Sequence, residues 1–327
     1  MANSSEIVDL DAISLAEAKL AGKIIRTPVL DVRQSGLEEK LPHASTVTMK
    51  LELFQKAGSF KARGAYLSID ALSEDQRKSG VVAASGGNHG LAVSWAARAA
   101  GVSAKIAIPR TADPFRIEAC ENLRADVVLC DDIAAAFAAM EEIETQENRI
   151  KIHPFEGISM TLGAATCAKE FFEDANDLDA VILPVGGGGL ISGMSAAFKL
   201  LNPEITVYGV EPFGADALYR SLQAGMPQSI DKVDTIADSL GSPTALPYSF
   251  GLAQKYVDEV VRVRDDDLRE AMTLMSQTLK LMPEPACAAS LAGALGPLRE
   301  QCEGQRVGLL ACGSNIGLER FRALTAR

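Results

Sequence analysis

Lys61 sits in the segment Ser59-Phe60-Lys61-Ala62-Arg63-Gly64-Ala65, between an aromatic residue and a small-residue turn that opens an apolar, helix-like run. Taken alone, a lysine at a helix start is a solvated charge. Two distant glycine-rich segments change its meaning: Ser85-Gly86-Gly87-Asn88-His89-Gly90 and Gly186-Gly187-Gly188-Gly189. Each follows a strand-like apolar run and precedes a helix-like one. Backbone N–H groups that converge at such a turn hold an anion, and the helix dipole adds favourable potential. A lysine together with two such turns suits a phosphate-bearing aldehyde held as a Schiff base.

Other residues bear on the chemistry less directly. The glycine run is not a nucleotide-binding Walker loop, because no Gly-Lys-Ser/Thr follows it, and Gly186-x-Gly188-x-x-Ile191 lacks the third glycine of a dinucleotide fingerprint. A tight turn is the plainer alternative, although four glycines in a row lose much entropy on ordering. Ser85 to Gly90 could likewise be only a helix cap, but Asn88 and His89 place polar groups where a small ligand would enter. His43, His89 and His153 are the only histidines, too few for a histidine-based metal cluster. Cys312-Gly313-Ser314-Asn315 ends the last strand, at the edge where parallel sheets bind ligands, though a buried small hydrophobe is the plainer role for Cys312. Glu211, at a strand end, could be a helix-start carboxylate and nothing more. No Gly-x-Ser-x-Gly nucleophile elbow occurs.

The elements that must position these residues follow from the apolar pattern. Strands are expected at 47–54, 81–84, 104–108, 126–129, 150–152, 180–183, 207–210 and 307–311. Helices are expected at 15–25, 65–72, 91–100, 115–123, 132–145, 163–173, 190–201, 217–223, 266–282 and 286–298. Gly101 is a good residue to follow a helix C-terminus. Strand–helix alternation at this spacing gives right-handed crossovers and parallel sheet, in two series that meet near 148–153.

Length and composition agree with such a fold. The 327 residues allow two domains, 47% are hydrophobic, and the net charge is -11. An acidic chain is a poor binder of nucleic acid or anionic membrane, whereas a local nest of N–H groups still holds an anion. Six cysteines without C-x-x-C spacing read as reduced thiols, and residues 1–10 carry no apolar leader, so a cytoplasmic location is expected, with no membrane span.

The order of segments resembles the tryptophan-synthase-β-like (fold type II) family of pyridoxal-phosphate enzymes, within it the serine/threonine dehydratase and serine racemase group. The likeness runs from Thr27-Pro28 to Asn315. It implies an α/β fold of two parallel-sheet domains with helices on both faces, residues 48–150 being a small domain inserted into a large one formed by 1–47 and 151–327. The cofactor, pyridoxal 5′-phosphate, would lie in the cleft between them. Lys61 would be the Schiff-base lysine, with Phe60 flanking the cofactor. Gly186, Gly187, Gly188 and Gly189 would cradle the phosphate, Asn88 would bond the pyridine 3′-oxygen, and Cys312 would face the pyridine nitrogen. Glu284 matches an acidic residue near the cofactor. Ser85, Gly86, Gly87, Asn88 and His89 would take the substrate carboxylate.

The implied reaction is β-elimination of a 3-hydroxy amino acid such as threonine or serine to a 2-oxo acid and ammonia. Racemisation is an alternative, as is a less common substrate such as phenylserine, hydroxyaspartate or a hydroxyectoine-derived amino acid. The expected partner is a small amino acid, the expected assembly a homodimer, and a control domain beyond residue 327 is not expected. Three places depart from the group: Arg116 replaces a lysine, Gly163-Ala164-Ala165-Thr166 replaces Gly-Gln-Gly-Thr, and Ala237-Asp238-Ser239 replaces Ala-Asp-Gly. The last two are expected to line or back the substrate pocket. Glu211 and Ala215 match two ligands of a racemase-type cation site, but Ala217 stands where its aspartate would be, so no strong requirement for a divalent metal is expected. Gly86 stands where racemases carry a serine, which favours elimination over inversion.

Overall fold

Short runs of Val, Ile, Leu and Ala, each stopped by Gly, Pro or Asn, build two sheets in this computed structural model, which describes residues 8–32, 36–175 and 177–326. The larger sheet has the order β1 (Val29–Asp31), β2 (Thr46–Lys50), β10 (Arg306–Leu310), β7 (Ala180–Pro184), β8 (Thr206–Pro212), β9 (Glu259–Val263). Only β1 runs antiparallel to its neighbour. The smaller sheet, β5 (Asp126–Cys130), β4 (Ala104–Pro109), β3 (Val81–Ala84), β6 (Ile150–Lys151), is parallel throughout. All four residues of β3 are buried: Val81 and Ala83 enter one apolar cluster, Val82 and Ala84 another. That period of two means helices cover both faces.

Both expected domain borders fall within strands. A border at 48 cuts β2, whose five residues all pair with β10, from Thr46 opposite Arg306 to Lys50 opposite Leu310. One at 151 cuts β6, which pairs with β3. The local pattern shows that 46–50 is a strand, but the partner that claims it comes more than 250 residues later. Residues 51–54, expected to extend that strand, turn into a short 3-10 helix, Glu52–Phe54.

Three helices meet behind the sheet edges: α2 (Lys61–Asp70), α7 (Ile158–Asp174) and α8 (Gly189–Leu201). They approach through glycine. A Cβ on Gly64 would lie 2.9 Å from Met160 Cα, one on Gly163 would strike Gly64, and one on Gly193 would strike the Thr161 carbonyl. The segment Gly163-Ala164-Ala165-Thr166 thus serves helix packing, a role set by backbone approach.

A buried ion cluster locks this arrangement. Arg63, fully buried, donates from Nε and Nη2 to Glu52 (2.8 Å each), and from Nη1 and Nη2 to Glu170 (2.8 and 2.7 Å). Thr166 Oγ1 takes a further bond at 3.3 Å, while Lys50 pairs with Glu170 at 3.2 Å and donates to the Thr27 carbonyl at 2.7 Å. Burial alone would raise the Glu52 carboxyl, but the charge and hydrogen bonds of Arg63 hold it below its ordinary value. One guanidinium therefore ties the end of β2, the start of α2 and the middle of α7 together, two residues from Lys61. Arg63→Ala would strand two buried carboxylates, and we expect it to lower unfolding stability by about 3–5 kcal/mol in urea titrations. A loss below about 1 kcal/mol, the range of exposed pairs, would contradict the cluster's role.

Candidate active site

Lys61 is the first residue of α2, and the backbone just before it is pinned to the end of β10. Ser59 bridges Gly313, and Phe60 N–H donates to the Cys312 carbonyl at 3.1 Å. The Lys61 ammonium donates to the Pro154 carbonyl and lies 5.2 Å from the centre of the Phe60 ring. Its side chain keeps some exposure to the cleft, yet the nitrogen itself is enclosed. Burial lowers its pKa to about 8. A hydrogen bond with Cys287 and burial push the Cys312 thiol well above its ordinary value, so it stays neutral.

His153, Pro154 and Phe155 link this lysine to the glycine run. A Cβ on Gly187 would fall inside the Phe155 ring, and one on Gly189 would strike the Phe155 carbonyl. Gly188 has φ 95°, the left-handed region, and caps α8, whose first-turn N–H groups have no carbonyl within the helix to bond. Glycine is thus required here by backbone shape and by close approach. His153 Nδ1 accepts the N–H of Phe155 (3.3 Å) and of Glu156 (2.9 Å), and burial lowers the ring to about 4.

Ser85 to His89 lead from β3 into α4 (Asn88–Ala100). Ser85 N–H bonds the Ala107 carbonyl at 3.0 Å, and Gly87 N–H bonds Ser85 Oγ at 3.0 Å. These two donors are thereby committed, and the first-turn N–H groups of Asn88 and His89 are those left without an intrahelical carbonyl. His89 is a buried neutral imidazole, its pKa lowered to about 3 by burial and then by Lys61. It donates Nε2–H to the Ile152 carbonyl at 2.9 Å, which makes Nδ1 an acceptor.

Asn88 carries its amide into a polar knot. Its Nδ2 donates to Glu284 and, at 3.4 Å, to Ser239; its Oδ1 accepts from Asn315 Nδ2 at 2.6 Å. Burial raises Glu284 to about 7, in spite of Arg116 3.2 Å away. A Cβ on Gly186 would lie 3.3 Å from the Ser239 carbonyl, so the glycine run borders the same knot. A run of contacts through Pro154, Phe155 and Ser239 thus links Phe60, Lys61 and Cys312 with Asn88, Glu284 and the glycine run. Sequence reading assigned no role to Asn315, Asp238, His153 or Pro154, although Asn315 closes the Cys312–Asn315 turn and Asp238 lies inside a departure from the family pattern.

Glu211 lies elsewhere and acts as a helix cap. Its carboxyl accepts the N–H groups of Leu218 (3.0 Å) and Tyr219 (2.7 Å) at the start of α9 (Ala217–Ala224). Asp216 beside it is taken by Arg220 (2.8 Å) and by Arg262 (2.9 Å), the latter stacked on Phe213 and Tyr219.

These residues fit pyridoxal 5′-phosphate. The glycine turn offers a helix N-terminus for an anion, and the buried Ser59 Oγ and His89 Nδ1 have no hydrogen-bond partner among the described residues. In cofactor-free protein, Lys61 should be acylated by acetic anhydride with half-maximal rate near pH 8, well below the value of about 10.4 for exposed lysines. Peptide mass analysis across pH gives the midpoint, and one near 10 would contradict the buried amine.

The chain resembles several characterised proteins along almost its whole length. It is 44% identical to phenylserine dehydratase of Ralstonia pickettii over 98% of this chain and 97% of that one. It is 36% identical to L-threonine ammonia-lyase of Thermotoga maritima, over 95% of this chain and 76% of the relative. The structure of maize serine racemase superposes with a TM-score of 0.89 at 32% identity, covering 95% of both chains. Residues 20–313 match the family model for pyridoxal-phosphate-dependent enzymes. With this match, the lysine and glycine turn of one cleft acquire a name: the chain belongs to the family of pyridoxal-phosphate-dependent enzymes, and pyridoxal 5′-phosphate is its cofactor.

Proposed function

We propose that this protein is a lyase that removes the hydroxyl and amino groups of a 3-hydroxy amino acid, releasing a 2-oxo acid and ammonia. The observation that carries the reading is the enclosed Lys61 amine, with a pKa of about 8, beside a thiol that stays neutral. Relatives named as a phenylserine dehydratase and a threonine ammonia-lyase support the substrate class.

When bound, the cofactor supplies an electron sink joined to the substrate nitrogen. The protein's own residues do the rest. Gly186 to Gly189 and the α8 N-terminus would hold its phosphate, Phe60 would flank it, and Asn88 and Glu284 would face its ring. The N–H groups at the start of α4 orient the substrate carboxylate. Lys61, neutral in an appreciable fraction of molecules near pH 8, takes the proton from Cα, and the hydroxyl leaves from Cβ with a proton as water; the released enamine takes up one water to give the 2-oxo acid and ammonia. Cys312, uncharged, cannot hold a positive charge on the ring as a carboxylate would, which favours prompt loss of the leaving group over a long-lived carbanion.

Racemisation is the second reading, carried by the likeness to maize serine racemase. It needs an acid on the face opposite Lys61, and Gly86 has no side chain to provide one. A Cβ added there would begin 3.3 Å from both Pro109 and Ala112, in a space already crowded.

The test is a panel of 3-hydroxy amino acids, among them phenylserine, threonine and serine, assayed for 2-oxo acid and for the opposite enantiomer. We expect 2-oxo acid in large excess, and a loss of about 10²–10⁴-fold or more in Lys61→Ala. Comparable amounts of both products would favour the racemase, and wild-type turnover by the variant would overturn the assignment of Lys61.

A further inference from the structure

Arg116 stands where the family resemblance led a lysine to be expected, and its surroundings show what an arginine does there. It belongs to α5 (Pro114–Asn122), on the small-sheet side of the cleft, and is buried to 3% exposure. Its Nε donates to the Asn315 carbonyl at 2.7 Å. Nη1 donates to the Gly86 carbonyl (3.2 Å) and to Asp238 Oδ2 (2.8 Å). Nη2 donates to Asp238 Oδ1 (3.3 Å) and to Glu284 Oε2 (3.2 Å). Asp113, which caps the same helix, accepts Gly317 N–H at 2.8 Å. Apart from Gly86, every one of these partners comes from the part of the chain that carries the larger sheet. A lysine has one charged nitrogen and could not span Asp238, Glu284 and two carbonyls at once.

The latch stands against the loop assigned to the substrate carboxylate. A Cβ on Gly87 would lie 3.3 Å from Ser239 Oγ and 3.5 Å from Arg116 Nη1. A substrate held by the N–H groups at the start of α4 therefore has Arg116, Asp238 and Ser239 as neighbours. Both cations of this wall already have carboxyl partners. Arg116 and Arg320, 3.3 Å from Asp238, face Asp238, Glu284 and Asp113. A second carboxylate on the substrate would meet no unspent cation and would have to displace Asp238 from Arg116, whereas an uncharged side chain would not.

We propose that the Arg116–Asp238 pair is a specificity device that restricts the cleft to 3-hydroxy amino acids with uncharged side chains. The inference rests on the elimination reaction proposed above and narrows its substrate. Arg116 acts as the latch, and Asp238 keeps its charge from being offered to the substrate.

The experiment compares kcat/KM for L-serine, phenylserine and 3-hydroxyaspartate in the wild-type holoenzyme and in Asp238→Asn, with melting temperatures recorded for both. The wild type should favour the better uncharged substrate over 3-hydroxyaspartate by at least about tenfold, and Asp238→Asn should shift that ratio toward 3-hydroxyaspartate by about tenfold. If Asp238→Asn does not fold, Asp238→Ala serves as the second variant and the wild-type ratio still decides. Equal turnover of 3-hydroxyaspartate by the wild type would overturn the inference, as would an unchanged ratio in a folded variant. Release of 2-oxo acid from none of the three would instead overturn the proposed reaction, and this inference with it.

Discussion

The contact on which the rest depends is the fork of Arg63 between Glu52 and Glu170. Two bidentate pairs, with all three side chains buried, fix where α2 begins relative to β2 and α7. Such a cluster is weak evidence of net stability, because desolvating its charged groups offsets much of their attraction. Its effect is geometric. An arginine two residues past Lys61 cannot shift without stranding a carboxylate, so the first turn of α2 cannot slide along α7. The glycine contacts Gly64–Gly163 and Gly193–Thr161 then set how closely α2 and α8 approach α7, and with them the distance between the lysine and the glycine turn.

Enclosure gives this rigid frame its chemistry. Within one cleft, burial lowers Lys61 to about 8 and raises Glu284 to about 7, while Cys312 stays a neutral thiol. Environment thus brings an amine and a carboxyl, ordinarily some six pKa units apart, to within about a unit of each other. Both can hold or release a proton near neutrality. The nearby histidines are held neutral, His89 at about 3 and His153 at about 4, so neither competes for the proton that Lys61 moves.

Local signals in the sequence carried most of the elements. Gly101 adopts φ 67° at the end of α4, as its place after an apolar helix suggests. The glycine turns follow strands and open helices because runs such as 81–84 and 180–183 are short, apolar and sharply bounded. The pattern missed β1, β9, α10 (Pro247–Tyr256) and α13 (Leu318–Thr325), which are short or lie at edges, and α3 (Glu74–Ser79), whose Ser73–Gln76 capping box was its one signal. It also ran the helix expected at 266–282 beyond Gln277, where α11 (Asp265–Gln277) stops before the left-handed Lys280. Long-range pairing was not legible at all. Nothing local marks Arg63, whose partners lie 11 and 107 positions away. Arg116 was visible only as a departure from a family pattern; Asp238, Glu284 and Asn315, 122, 168 and 199 positions on, give it a role.

The central claim is that the cofactor is carried by the enclosed amine of Lys61. Borohydride reduction of the loaded protein, followed by proteolysis and peptide mass mapping, tests it directly. The account predicts a reduced pyridoxyl adduct on the peptide containing Lys61 and on no other lysine. An adduct on the exposed Lys56 instead, or a mapped Lys61 peptide without one, would contradict it.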